Sequence, residues 1–168
     1  FNFLAYFVVG TAVASTIAKT VKSEYAGVAV VFAALFAAVA WNFITWHVGM
    51  PSSSSHAIVG GLVGAGIAAG GVKAISWSSV EKAAVGIVAS PAVAIAVAFV
   101  AMYVIFGIQR LFKWHDNHPV FKGLQVVAAG ALSFGHGAND AQKTMGVVAA
   151  LLLGAGYTTA GKGGAITV

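Results

Sequence analysis

The chain has 168 residues, 60% of them hydrophobic and only 8% charged, with a mean hydropathy of +0.92. Soluble domains carry about 25% charged residues, so this composition excludes an ordinary soluble fold and predicts an all-α, multi-pass integral membrane protein of a cell membrane. The net charge is +5, but the cations fall mostly in short loops between apolar segments, as membrane proteins place them, so the expected partner is the lipid bilayer and not nucleic acid. With no cysteine there is neither a disulfide framework nor a thiolate metal site, and no cofactor is expected.

Phe1 lies inside an apolar run with no initiator Met and no basic leader, so the chain is expected to be an internal piece of a longer protein, a single transmembrane domain over residues 1–168. Phe1 to Ala18 reads as the end of a spanning helix, and Lys19, Lys22 and Glu24 mark a loop. Tyr25 to Trp46 is 22 residues, close to the ~20 that cross a hydrocarbon core. Asn42 and Thr45 stand three apart on one helix face. Trp41 and Trp46 suit either interfacial anchoring or packing.

Gly49 and Pro51 then break the chain before four serines, Ser52 to Ser55, and His56. Ala57 to Gly71 is 15 residues, short for a span and suited to a re-entrant arm sheltered by protein. Gly60 with Gly64, and Gly66 with Gly70, have the spacing that lets membrane helices approach closely. A polar connection over 72–82 leads to a long span, Ala83 to Ile108, in which Pro91 is expected to kink the helix. The polar loop 109–122 follows. Its Arg110, Lys113 and Lys122 against Lys73 and Lys82 of the preceding loop, three against two, favour the cytoplasmic side for it without fixing the orientation.

The last apolar stretch is interrupted by Gly135-His136-Gly137-Ala138-Asn139-Asp140-Ala141-Gln142-Lys143-Thr144. Charge inside such a segment is expensive in a bilayer and usually binds or moves something. The glycines permit departure from helical geometry, so a broken helix is expected over about 123–153. Asp140 can bind a cation or exchange a proton, Asn139, Gln142 and Thr144 can add neutral oxygens, and Lys143 can meet a phosphate-type anion or simply neutralise Asp140. In the other polar stretch, serine hydroxyls and the unpaired N–H groups of a helix start suit an oxyanion; the alternative reading is one serine as a cap with the rest as turn residues. His56 and His136 read as packing or hydrogen-bonding residues.

Pro51-Ser-Ser-Ser-Ser-His56-Ala-Ile-Val-Gly60 and Gly137-Ala-Asn-Asp140 resemble the two signatures of the inorganic phosphate transporter (PiT) family, bacterial low-affinity type, and Trp41-Asn42, Thr45-Trp46 and Gly49 also fit. The resemblance covers about residues 25 to 150. It implies an inverted-repeat secondary transporter that carries inorganic phosphate with H⁺ or Na⁺, with a serine-motif hairpin over about 41–71 and a second-repeat broken helix. It also implies as partners the remainder of a full-length transporter and a second copy in a homodimer. Together these readings nominate Ser52, Ser53, Ser54, Ser55, Asn139, Asp140, Gln142, Lys143 and Thr144 for phosphate. They nominate Asp140, Asn139, Asn42 and Thr45 for the coupling cation, with Na⁺ at Asp140 and Asn42. Where the family's commoner pattern continues G-A-N-D-V-A-N, this chain has Ala141-Gln142-Lys143, and a fixed lysine charge can stand in for a sodium ion. Two other readings are a carrier or channel for another oxyanion such as sulfate, and a membrane hydrolase. Against the hydrolase, the serines lack a G-x-S-x-G elbow, so no enzyme is expected.

Overall fold

A computed structural model describes residues 12–113, 119–157, 159–160 and 166–167. It is built from helices: α1 (Ala12–Ala18), α2 (Val28–His47), α3 (Ser54–Gly70), a 3₁₀ turn (Val72–Ala74), α4 (Trp77–Phe112) and α5 (Pro119–Gly154). The only strands among the described residues are β1 (Thr159–Ala160) and β2 (Ile166–Thr167), an antiparallel pair of two residues each near the end of the chain. Among the described residues, α2 and α4 are long and apolar enough to cross a membrane. At 1.5 Å per residue the 20 residues of α2 reach about 30 Å, the thickness of a hydrocarbon core.

Packing divides the chain into two units, one holding Val9–Lys82 and Asn139–Val168, the other including Ala83–Ala138. In the first, α2 and α3 form an antiparallel hairpin closed by six residues. Around it lies a core of Ile17, Val21, Val31, Leu62, Ile75 and Val147. The segments flanking the hairpin are tied by a short bridge, in which Lys22 N donates to Ala74 O at 2.9 Å and Ser76 N to Thr20 O at 3.0 Å. The second unit is apolar and exposed along its length, Val88, Ile95, Leu111 and Leu132 each more than 70% exposed, the condition of helices whose neighbours are lipid or other helices.

Three expected boundaries are corrected. The polar connection ends at Ser76, because the charged Glu81 and Lys82 are carried, exposed, in the second turn of α4. The polar loop is shorter than 109–122, because Gln109–Phe112 stay helical and Pro119 opens α5. Proline suits a first helical position, which needs no N–H; His115, Asp116 and His118 lie outside the described residues. Most consequential, α5 is one uninterrupted helix from Pro119 to Gly154, where a break was expected. Its polar residues are accommodated in helical register: Asp140 pairs with Lys143 one turn on, and Thr144 Oγ1 donates to the Asp140 carbonyl at 3.0 Å. A helical glycine costs only about 1 kcal/mol, too little to open a helix whose polar groups are already satisfied. Pro91 likewise sits inside α4 without ending it.

The glycine spacing of α3 is also used differently from expectation. A Cβ on Gly60 or Gly64 would meet nothing, whereas one on Gly61 would lie 2.4 Å from the Ala34 carbonyl oxygen of α2. Gly61 is therefore the point of closest approach in the hairpin. Gly66 and Gly70 do sit at tight contacts, against Ile75 and Val21 and against the ring of Tyr25.

Candidate functional site

The serine row is presented by a turn built at both ends from local hydrogen bonds. At the end of α2, Gly49 takes φ +71°, and Gly49 N donates to Trp46 O at 3.1 Å while Met50 N donates to Thr45 O at 2.9 Å. This pair of bonds is a Schellman ending, and glycine is the residue that adopts the left-handed angle without a Cβ clash. Pro51 follows, unable to continue a helix. Ser53, with φ −121° and ψ 110°, then caps α3, its Oγ accepting from His56 N at 3.4 Å. Ser54 and Ser55 become the first two residues of α3, at the end where backbone N–H groups lack helical partners. Ser53→Ala is expected to lower stability by about 1 kcal/mol, seen as a fall in thermal midpoint, while Ser53→Asp keeps the cap and the midpoint.

The neighbouring polar residues of α2 are engaged as well. Ser52 Oγ donates to Asn42 Oδ1, which pins the turn to the last turns of its own helix. Thr45, 3% exposed, donates its hydroxyl back to the carbonyls of Trp41 and Asn42, both at 3.0 Å. As a cation ligand Thr45 has its oxygen lone pairs to offer but no proton.

Across from the turn lies α5. Lys143 Nζ donates to Ser54 Oγ at 2.7 Å and to Asp140 Oδ1 at 2.6 Å. These contacts join two polar stretches 89 residues apart. The lysine side chain is 18% exposed and that of Asp140 45%, so the ammonium is the more enclosed member of the pair. The cluster therefore comprises a hydroxyl at a helix start, an ammonium and a carboxylate. It can offer hydrogen-bond donors and positive charge to an anion, and it keeps a carboxylate beside them to balance that charge.

Not every candidate joins it. Gln142, 7% exposed, turns to α1, where its Oε1 accepts from Val13 N at 2.9 Å and satisfies an unpaired first-turn amide. Thr144 is exposed and bonded within its own helix, and Asn139 is exposed. His136 belongs to the other packing unit. Sequence reasoning passed over a groove of about 460 Å³ between α2 and α3, lined by Ala33, Ala37, Trp41, His56, Gly60 and Gly64. The signal was there in the paired small residues of both helices.

The comparisons with known proteins agree on the kind of protein this is. The model of the phosphate transporter family matches residues 1–115 and 108–166. A probable low-affinity inorganic phosphate transporter of Rhizobium meliloti is 43% identical over 94% of this chain and 47% of its own length. One of Bacillus subtilis is 40% identical over 89% of this chain and 46% of its own. The low-affinity inorganic phosphate transporter PitB of Escherichia coli is 28% identical over 92% and 37%. The chain thus spans about half the length, or less, of these three curated relatives. No solved structure matches it. The family and its named relatives are transporters and not enzymes. With that match running through nearly all of its residues and two helices fit to cross a bilayer, the chain belongs to the phosphate transporter family and is a membrane protein.

Proposed function

We propose that the chain is one transmembrane part of a secondary transporter that moves inorganic phosphate across a cell membrane together with H⁺ or Na⁺. The observation that carries this reading is the Lys143 ammonium, held between Ser54 at the start of α3 and Asp140 on α5. Taking a phosphate anion into a low-dielectric region requires compensating charge and hydrogen bonds. Ser52 to Ser55, the first N–H groups of α3 and Lys143 supply these, with Asn139 at the margin. Gln142 and Thr144, whose side chains serve the Val13 amide and the Asp140 carbonyl, support the site from outside. Asp140, Asn139, Asn42 and Thr45 are the oxygens proposed for a coupling cation, Asp140 and Asn42 being those suited to Na⁺.

The α2–α3 hairpin is proposed to be re-entrant, because the 17 residues of α3 reach about 25 Å, short of a ~30 Å core. An inverted second half and a homodimeric partner complete the proposed assembly. Each net charge moved against a potential near 100 mV costs about 2.3 kcal/mol, so anion uptake needs enough co-transported cations to offset it.

The test is uptake of radiolabelled phosphate by the complete transporter in proteoliposomes under an imposed ion gradient. Uptake that is competed by unlabelled phosphate and not by sulfate, and that falls by about tenfold in Ser54→Ala, is the expected result. No gradient-driven phosphate uptake by the unaltered protein would remove the proposal.

A further inference from the structure

The connection from α1 to α2 and the turn from α3 to α4 meet at one end of their packing unit, tied by the bonds from Lys22 N to Ala74 O and from Ser76 N to Thr20 O. Beside them, at the last turn of α5, is a cavity of about 380 Å³. Lys19, Lys22, Glu24 and Ser76 give it a polar side, and Ala26 and Leu153 give it an apolar one. Backbone packing fixes the apolar side, since a Cβ on Gly154 would run into the Ala26 carbonyl. Lys19 and Lys22 are exposed, and among the described residues neither ammonium is taken up by a hydrogen bond or an ion pair. Glu24 offsets one of the two charges, but Lys73, next to the Ala74 that holds Lys22, adds another at the same end.

The helices set the depth of this cavity. Both that are long and apolar enough to cross a membrane start here, α2 at Val28 and α4 at Trp77. The connections that precede them therefore stand at the level of the lipid headgroups. Trp77, 52% exposed, is a residue type enriched at that level. A basic surface there attracts anionic lipid. The apolar side discriminates further: a free phosphate ion would gain nothing from Ala26 and Leu153, whereas a phospholipid has a phosphodiester and hydrocarbon within one molecule.

We propose that this cavity holds the headgroup of an anionic phospholipid. The phosphate lies between Lys19 and Lys22 with the Ser76 hydroxyl beside them, and the first carbons of the acyl chains lie along Ala26 and Leu153. The bound lipid fastens the base of the α2–α3 hairpin to the membrane surface. The serine turn is at the other end of the same hairpin, so this site does not depend on the phosphate-transport reading.

Titration of phosphatidylglycerol, and separately of phosphatidylcholine, into the complete transporter in neutral detergent tests this, with bound lipid counted by native mass spectrometry. The unaltered protein is expected to retain phosphatidylglycerol in preference to phosphatidylcholine. Lys19→Gln with Lys22→Gln should weaken that retention by about thirtyfold, the loss expected of two lysines beside anionic lipid. Arg110→Gln with Lys122→Gln, which removes as much charge elsewhere, should leave it unchanged. Equal retention of the two lipids by the unaltered protein would overturn the proposal, and this comparison needs no variant. Undiminished preference in the Lys19→Gln, Lys22→Gln protein would overturn it too. Should that protein fail to fold, Lys19→Gln and Lys22→Gln are read singly, each with part of the same loss expected and with no loss in either overturning the assignment. Displacement of the lipid by millimolar inorganic phosphate would show a site for the free ion and overturn the choice of a lipid.

Discussion

Asp140→Asn is expected to reduce gradient-driven phosphate uptake by the complete transporter by at least about tenfold, because hydrogen bonds to charged groups are among the strong ones. The substitution preserves size and removes one charge. It leaves the Lys143 ammonium, the more enclosed partner, facing Ser54 without the carboxylate 2.6 Å away. Removing one member of a paired charge costs more than the pair itself contributes, since the other is left uncompensated. The double variant Asp140→Asn with Lys143→Gln separates two roles. If the pair serves only structure, the double variant regains both stability and uptake. The expected result is recovered thermal stability with uptake still lost. Asp140→Asn transporting at the normal rate would detach the ion pair from transport altogether.

The second large effect belongs to the hairpin. Gly61→Ala places a Cβ 2.4 Å from the Ala34 carbonyl oxygen, a backbone atom that cannot swing aside. The helices must part, at a cost of about 1–3 kcal/mol, lowering the thermal midpoint in detergent and the yield of folded protein. Gly64→Ala is the matched control. Its Cβ meets nothing, so relief of glycine's backbone entropy, about 0.5–1 kcal/mol, should leave the protein equally or more stable. If both variants behave alike, the close approach of α2 and α3 at Gly61 is wrong.

The hairpin and its polar tip were largely legible in the sequence. Gly49, Pro51 and the serines each have a strong local preference, so turn, stop and cap could be read without tertiary information. The start of α3 moved from Ala57 to Ser54, because serines that cap a helix also occupy its first turn, and the start of α2 moved from Tyr25 to Val28. The break expected near Gly135 and Asp140 was not found, because glycine and charge were read as obstacles to a helix. Spacings of three and four let Asp140, Lys143 and Thr144 satisfy one another along α5. Gln142 could not have been assigned from sequence at all, since its partner Val13 lies 129 residues away. Nor could spacing choose Gly61 over Gly60 and Gly64. A helix that is apolar all round carries no stripe to say which face meets its neighbour.

The separation between Lys143 and Ser54 has a consequence for biosynthesis. The Schellman ending and the cap use partners within five residues, and the Ser52–Asn42 bond spans ten, so they can form as soon as that segment leaves the ribosome. The lysine follows 89 residues later, a delay of about 4 to 18 s at ordinary rates of translation. Throughout that interval the growing chain holds its serine hydroxyls in place without the Lys143 ammonium to meet them, and the bond that joins the two stretches waits for α5.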